Sequence, residues 1–108
     1  MELKSYDKAA PFPFGNLTVR DMTPESFTQL SMALVEVPIG ADNPPFAEKR
    51  KENIYIVLEG EDEYTAGGES ALAGPGDVLV LSGGEHYSYH NGGYVPAKLL
   101  VLQRPNRT

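Results

Sequence analysis

The chain contains no cysteine and no tryptophan. Without thiols, disulfides and thiolate metal centres are excluded, and a reducing compartment is permitted. Long apolar runs are missing as well. Residues Met1 to Lys8 are polar with no signal-like core, and no stretch approaches the roughly 18 consecutive apolar residues of a membrane-spanning helix. A cytoplasmic location and no membrane partner are therefore the expectations. Positive charge is scarce: 9 Lys and Arg against 15 Asp and Glu give a net charge of -6 and a pI near 4.8. Such a field repels phosphate backbones, so nucleic acid is not an expected partner, and neutral or cationic small molecules stay open. Histidine is nearly absent too, with two in the chain, His86 and His90.

What is present points to strands. The 108 residues suit one domain, and 11 Gly and 9 Pro supply frequent tight turns. Residues 1–15, polar and then Pro11-Phe12-Pro13-Phe14, read as an extended N-terminal arm, and residues 16–108 as the folded domain. Asn16 to Met22 alternates apolar and polar residues as a half-buried strand does. Thr23-Pro24-Glu25-Ser26 reads as a turn or a single helical turn with Pro24 at its first position, and Leu30 to Val37 as an apolar strand. Residues 41–51, with Pro44-Pro45 and the basic run Lys49-Arg50-Lys51, form a loop. Ile54 to Leu58 is the strongest strand by β-branched and aromatic content. Tyr64 to Ala66, Val78 to Leu81, Glu85 to His90 and Ala97 to Gln103 follow as further strands, separated by Gly and Pro chemistry. The acidic group Glu59, Glu61, Asp62 and Glu63 reads as a solvated hairpin tip. With no helical pattern, the fold class is all-β, a sandwich or barrel.

The series Pro38-Ile39-Gly40, Pro44-Pro45 and Asn53-Ile54-Tyr55-Ile56-Val57-Leu58-Glu59-Gly60-Glu61 resembles the first conserved motif of the cupins. Gly74-Pro75-Gly76-Asp77-Val78-Leu79-Val80-Leu81, then His86-Tyr87 and Asn91, resembles the second. The resemblance spans about Leu30 to Pro105 and implies a double-stranded β-helix, the jelly-roll barrel of small single-domain cupins, over residues 16–108. In that family two histidines, a glutamate and a further histidine hold a divalent metal. Counting from the matched glycine Gly60, the glutamate position carries Asn53, and the paired histidine positions carry Phe46 and Glu48, or Ala47 and Lys49. Counting from Asn91, the last histidine position carries Tyr87, with His86 one residue early. All four positions depart from the family's ligand set, which leaves the cofactor open.

Two strand registers remain possible near the second motif. In one, Tyr87 and Tyr89 face inward with Tyr55; in the other, His86, Ser88 and His90 do, because a one-residue slip exchanges the faces. His86 and His90 lie roughly 13 Å apart on an extended strand, too far to chelate one ion. The candidate ligand-binding residues are Phe46, Asn53, Tyr55, Tyr87 and Tyr89, with Glu48 and His86 as candidate metal ligands. The expected function is binding of a small polar or aromatic molecule inside the barrel, metal-free or with a weak nonstandard metal site. The alternatives are a metal-dependent dioxygenase, isomerase or lyase using Glu48, His86 and tyrosine, and a non-catalytic interaction subunit. A homodimer is the expected assembly, with Phe12 and Phe14 lying across the partner, as the resemblance implies; the alternative is that they fold back on their own barrel.

Overall fold

The computed structural model describes residues 1–44, 52–82 and 86–104. Nine strands run in chain order: β1 Phe12–Phe14, β2 Leu17–Asp21, β3 Ser31–Val37, β4 Glu52–Glu59, β5 Asp62–Ala66, β6 Glu69–Ala73, β7 Val78–Ser82, β8 Tyr87–His90 and β9 Ala97–Arg104. The only helical turn among the described residues is the 3-10 segment Tyr6–Lys8. One sheet has six strands in the order β1-β2-β3-β9-β4-β7, and the other has three, β6-β5-β8. Every pairing is antiparallel. The expected all-β jelly roll is the observed architecture.

Alternation builds the core between the two sheets. On β4 the residues Asn53, Tyr55 and Val57 are buried, and on β9 Ala97, Leu99 and Val101. Tyr64, Tyr87 and Tyr89 answer them from the smaller sheet. A strand that presents alternate residues to one side needs only a period of two to specify which face is wet.

Turn chemistry fixes the ends of the strands. Gly60 has φ +72°, and a Cβ there would lie 2.7 Å from the Pro96 carbonyl oxygen and 2.9 Å from Ala97 Cα. Glycine is required twice over, by backbone conformation and by space. At the second motif, Asp77 accepts from the Gly74 amide through Oδ2 at 2.8 Å, and the Gly76 amide donates to Val57 O at 2.8 Å.

Residues 1–15 do more than extend. Phe12–Phe14 pairs with β2 of the same chain, and Phe14 packs against the core, so that phenylalanine folds back on its own barrel. Pro13 is tolerated because β1 is an edge strand, where a missing ladder donor costs least. Strand β6 escaped the sequence reading. Its Glu-Ser-Ala-Leu-Ala composition lacks β-branched and aromatic residues, and it lies exposed at a sheet edge with Ala73 alone buried.

Candidate functional site

The barrel interior is lined by a cluster of four tyrosines on three strands. Tyr55 on β4 meets Tyr64 and Tyr87 edge-on, with ring centroids 5.7 Å away in each case. Tyr89 lies 5.4 Å from both Tyr55 and Tyr64. Such edge-to-face contacts are favoured by the ring quadrupoles. The hydroxyls of Tyr55 and Tyr87 share a hydrogen bond of 2.7 Å. Burial, joined by the neighbouring phenols, pushes the Tyr55 hydroxyl far above the usual tyrosine range, and burial does the same for Tyr64 and Tyr89. These three phenols are neutral at any physiological pH.

The register question is settled by burial. Tyr87 and Tyr89 face inward, while Ser88 and His90 are exposed, and His86 is exposed as well. His90 turns outward and places Nδ1 2.6 Å from the Asp42 carboxylate. Of the sequence-predicted residues, the structure therefore brings Asn53, Tyr55, Tyr87 and Tyr89 together inside the barrel and leaves His86 at its rim. Phe46 and Glu48 lie outside the described residues, as does the basic run at 49–51.

Asn53 is fully buried and bound at both ends of its amide. Its Nδ2 donates to Leu81 O at 3.2 Å, and its Oδ1 accepts from Gln103 Nε2 at 3.0 Å. Both partners are register neighbours, Leu81 on β7 and Gln103 on β9. This amide ties three strands at the level where the family carries a carboxylate.

Two residues that sequence reasoning missed shape the site. Asn43 clamps β8: its side-chain Oδ1 accepts from the Tyr89 backbone amide at 2.7 Å, and its backbone N–H donates to Tyr89 O at 3.2 Å. The available signal was an asparagine just before Pro44-Pro45, a place where side-chain to backbone bonding is common. Asp62 was grouped with a solvated hairpin tip, and that reading is corrected. It is fully buried on the inner face of β5, whereas Glu59, Glu61 and Glu63 are exposed. Neither carboxylate oxygen of Asp62 has a hydrogen-bond partner among the described residues, and the Tyr64 hydroxyl has none either. Burial pushes the Asp62 carboxyl up to about 7, against a small opposing pull from His90.

Two cavities are lined by described residues on this side of the molecule. One of about 380 Å³ is lined by Asn43, Thr65, Ala66, Gly67, Gly68, His86, Tyr87 and Ser88. It lies at the end of the smaller sheet where Tyr87 pairs with Ala66. The other, about 220 Å³, lies in the seam between β6 and β7 and includes Tyr64 in its wall.

A model of the cupin domain matches residues 33–103. The chain belongs to the cupin domain family. Among its relatives, the uncharacterised protein MJ1618 of Methanocaldococcus jannaschii is 27% identical over 104 residues, covering 93% of this chain and 83% of that protein. The fold is shared with a predicted oxalate decarboxylase from Thermotoga maritima, at a TM-score of 0.82, 17% identity and coverage of 96% and 99% of the two chains. It is shared also with the cupin domain of Schizosaccharomyces pombe Cnp3, at 0.80, 20% identity and coverage of 94% and 72%. At these identities the likeness concerns the fold.

Among the described residues no group of three His, Cys, Asp or Glu side chains converges on a point. Asn53 is a neutral amide with its oxygen and nitrogen both engaged, and Tyr87 offers a phenol bonded to another phenol. Divalent ions of this family's kind need about three histidine or carboxylate donors. The described part of this barrel does not fit them. Its interior offers neutral hydroxyls, aromatic faces and one enclosed carboxyl, a surface suited to hydrogen bonding and stacking.

Proposed function

We propose that this cupin is a binding module that holds a small, neutral, hydroxylated or aromatic molecule at the barrel mouth, beside Tyr87, without the divalent metal of its relatives. The observation that carries the reading is the Tyr55–Tyr87 hydroxyl bond, which stands where the second-motif histidine would be. A phenol pair can pass a hydrogen bond to a ligand hydroxyl, and the ring beside it supplies an apolar wall. The 380 Å³ cavity at Tyr87 and His86 falls in the range of small-molecule sites. Phe46 belongs to the proposed ligand-binding set with Tyr55, Tyr87 and Tyr89, while Asn53 acts by bracing β4, β7 and β9.

The experiment is a thermal-shift screen of sugars, hydroxy acids and aromatic acids, run in chelator and again with manganese, iron, nickel or zinc. The expected result is a ligand that raises the melting temperature equally in both arms and loses its effect in Tyr87→Ala. Stabilisation that appears only with metal, and disappears in a Glu48→Ala, His86→Ala double variant, would instead establish the metal-dependent enzyme reading.

A further inference from the structure

Strands β6 and β7 follow one another in the chain, yet each is the outermost strand of its own sheet. Among the described residues no backbone hydrogen bond runs between them. The barrel is open along this seam, and the 220 Å³ cavity occupies it. Its wall is mostly apolar, with Ala66, Ala71, Leu79 and Leu81, and Glu69 is the one charged residue in the lining. The Val57 amide donates to Asp77 O. Counted in steps of two along that antiparallel ladder, Leu79 and Leu81 bond to β4, and Val80 turns its N–H and C=O toward the seam.

Tyr64 lines the same cavity and brings an anomaly with it. Its hydroxyl and both carboxylate oxygens of Asp62 are buried with no hydrogen-bond partner among the described residues, at residue exposures of 3% and 0%. The two side chains share the inner face of β5 one alternation apart, roughly 6.8 Å along the strand. Buried polar atoms left unpaired are uncommon and costly, and two such groups side by side call for a partner from outside the chain. The basic side chain that acts on Asp62 is His90, and Asp42 already engages its Nδ1 at 2.6 Å.

We infer that the seam is a binding site for a small organic ammonium ion, its charged head at Tyr64 and Asp62 and its short apolar body in the cavity between β6 and β7. The chemistry selects this class. Water would satisfy the oxygens but leave the charge of an ionised carboxylate unbalanced in apolar surroundings. A divalent metal needs about three strong donors, and no such group occurs among the described residues. An ammonium brings several N–H donors for the carboxylate, the phenol and the Val80 carbonyl. Its charge is also held by aromatic faces, and Tyr55, Tyr64 and Tyr89 cluster here with ring centroids 5.4 to 5.7 Å apart. Glu69 and the net charge of -6 draw cations toward the opening. The volume holds roughly seven groups of water size at about 30 Å³ each, enough for a short alkyl chain. Among the described residues this cavity shares only Ala66 with the one at Tyr87, so the inference stands apart from the reading of the mouth.

The probe is n-butylammonium chloride, with 1-butanol as its uncharged isostere and sodium chloride at matched ionic strength as the salt control. Titration calorimetry and thermal unfolding of the full chain at pH 8 are expected to show binding and stabilisation by butylammonium, and neither by butanol nor by sodium. Asp62→Asn keeps the size of the side chain and removes its charge, and is expected to weaken binding at least roughly 10-fold. Ala71→Phe, at an exposed position in the cavity wall, is expected to fill the seam and abolish binding with the native circular dichroism spectrum retained. A second measurement needs no variant: in amide NMR spectra of the native chain, butylammonium is expected to shift Ala66, Ala71 and Leu79. No stabilisation by butylammonium at high millimolar concentration overturns the inference. So does equal stabilisation by butanol, an unchanged affinity in Asp62→Asn or folded Ala71→Phe, or shifts confined to the neighbourhood of His86 and Tyr87.

Discussion

The phenolic oxygens of Tyr55 and Tyr87 are 2.7 Å apart inside the barrel, though the residues are 32 positions apart in the chain. The bond joins the larger sheet to the smaller across the core, and it is made between groups shielded from water. Removing both partners of such a pair costs less than the two single losses added together, because a lone buried hydroxyl keeps its desolvation penalty. Tyr55→Phe and Tyr87→Phe are each expected to cost about 1–2 kcal/mol, and the double variant less than their sum, with a coupling of about 1 kcal/mol. Urea denaturation of the four proteins measures the cycle. Strict additivity would mean that the bond contributes nothing in solution.

Asp62 predicts how stability follows pH. Unfolded, its carboxyl titrates near 3.8, and folded near 7. Below the lower value both states are protonated and the residue contributes no difference. Between the two the unfolded chain has released a proton that the native state still holds, so stability falls as pH rises. Above about 7 the loss is complete, on the order of 4 kcal/mol. Urea midpoints at pH 5 and pH 8 should therefore drop for the native chain, and Asp62→Asn should flatten that drop and exceed the native chain at pH 8. Parallel pH profiles for the two proteins would show that the buried carboxyl carries no such penalty.

Asn91 is fully buried, and its amide is saturated. Nδ2 donates to Val37 O at 3.0 Å and to Val95 O at 2.9 Å, and Oδ1 accepts from the Gly93 amide at 2.9 Å. Asn91→Ala leaves these three backbone groups without that partner. A loss of about 2–4 kcal/mol is expected by chemical denaturation, with Asn91→Asp recovering part of it through the Gly93 bond.

Gly60→Ala is expected to cost about 3 kcal/mol or more. The positive φ and the backbone atoms of Pro96 and Ala97 at under 3 Å leave a methyl no place without displacing β9. Gly68→Ala is the control. It shares the positive φ, but nothing lies within 4 Å of its Cβ position, so about 1–2 kcal/mol is expected from backbone strain alone. Equal losses at the two sites, read from thermal midpoints, would remove the steric argument.

Much of the barrel was legible because its signals are local. Period-two alternation located β2, apolar and β-branched content located β3, β4, β7 and β9, and glycine and proline located their ends. The inward phase of Tyr87 and Tyr89, facing Tyr55, was one of two registers the sequence left open, and the burial pattern of β8 decides it. Asp62 was not legible: four neighbouring acids look like one solvated tip, and only the pairing of β5 with β6 and β8 singles out the one that turns inward. Tyr64 was assigned to a strand, yet nothing local tied it to Tyr55. Its place in the cluster depends on the meeting of two sheets, which no short window of sequence encodes. Asn43 escaped for the same reason, since its partners on β8 lie more than 40 residues downstream.

The ninth strand in chain order sits fourth in the six-stranded sheet, between β3 and β4. Until Ala97–Arg104 has left the ribosome, that sheet is two pieces, a three-stranded meander and the β4–β7 ladder, which among the described residues are joined in the ladder only through β9. The nascent chain consequently waits in an unfinished state with aliphatic strand edges uncovered. Closure is a long-range event of the slow kind. Truncation within β9 is for that reason a lesion to the middle of the protein.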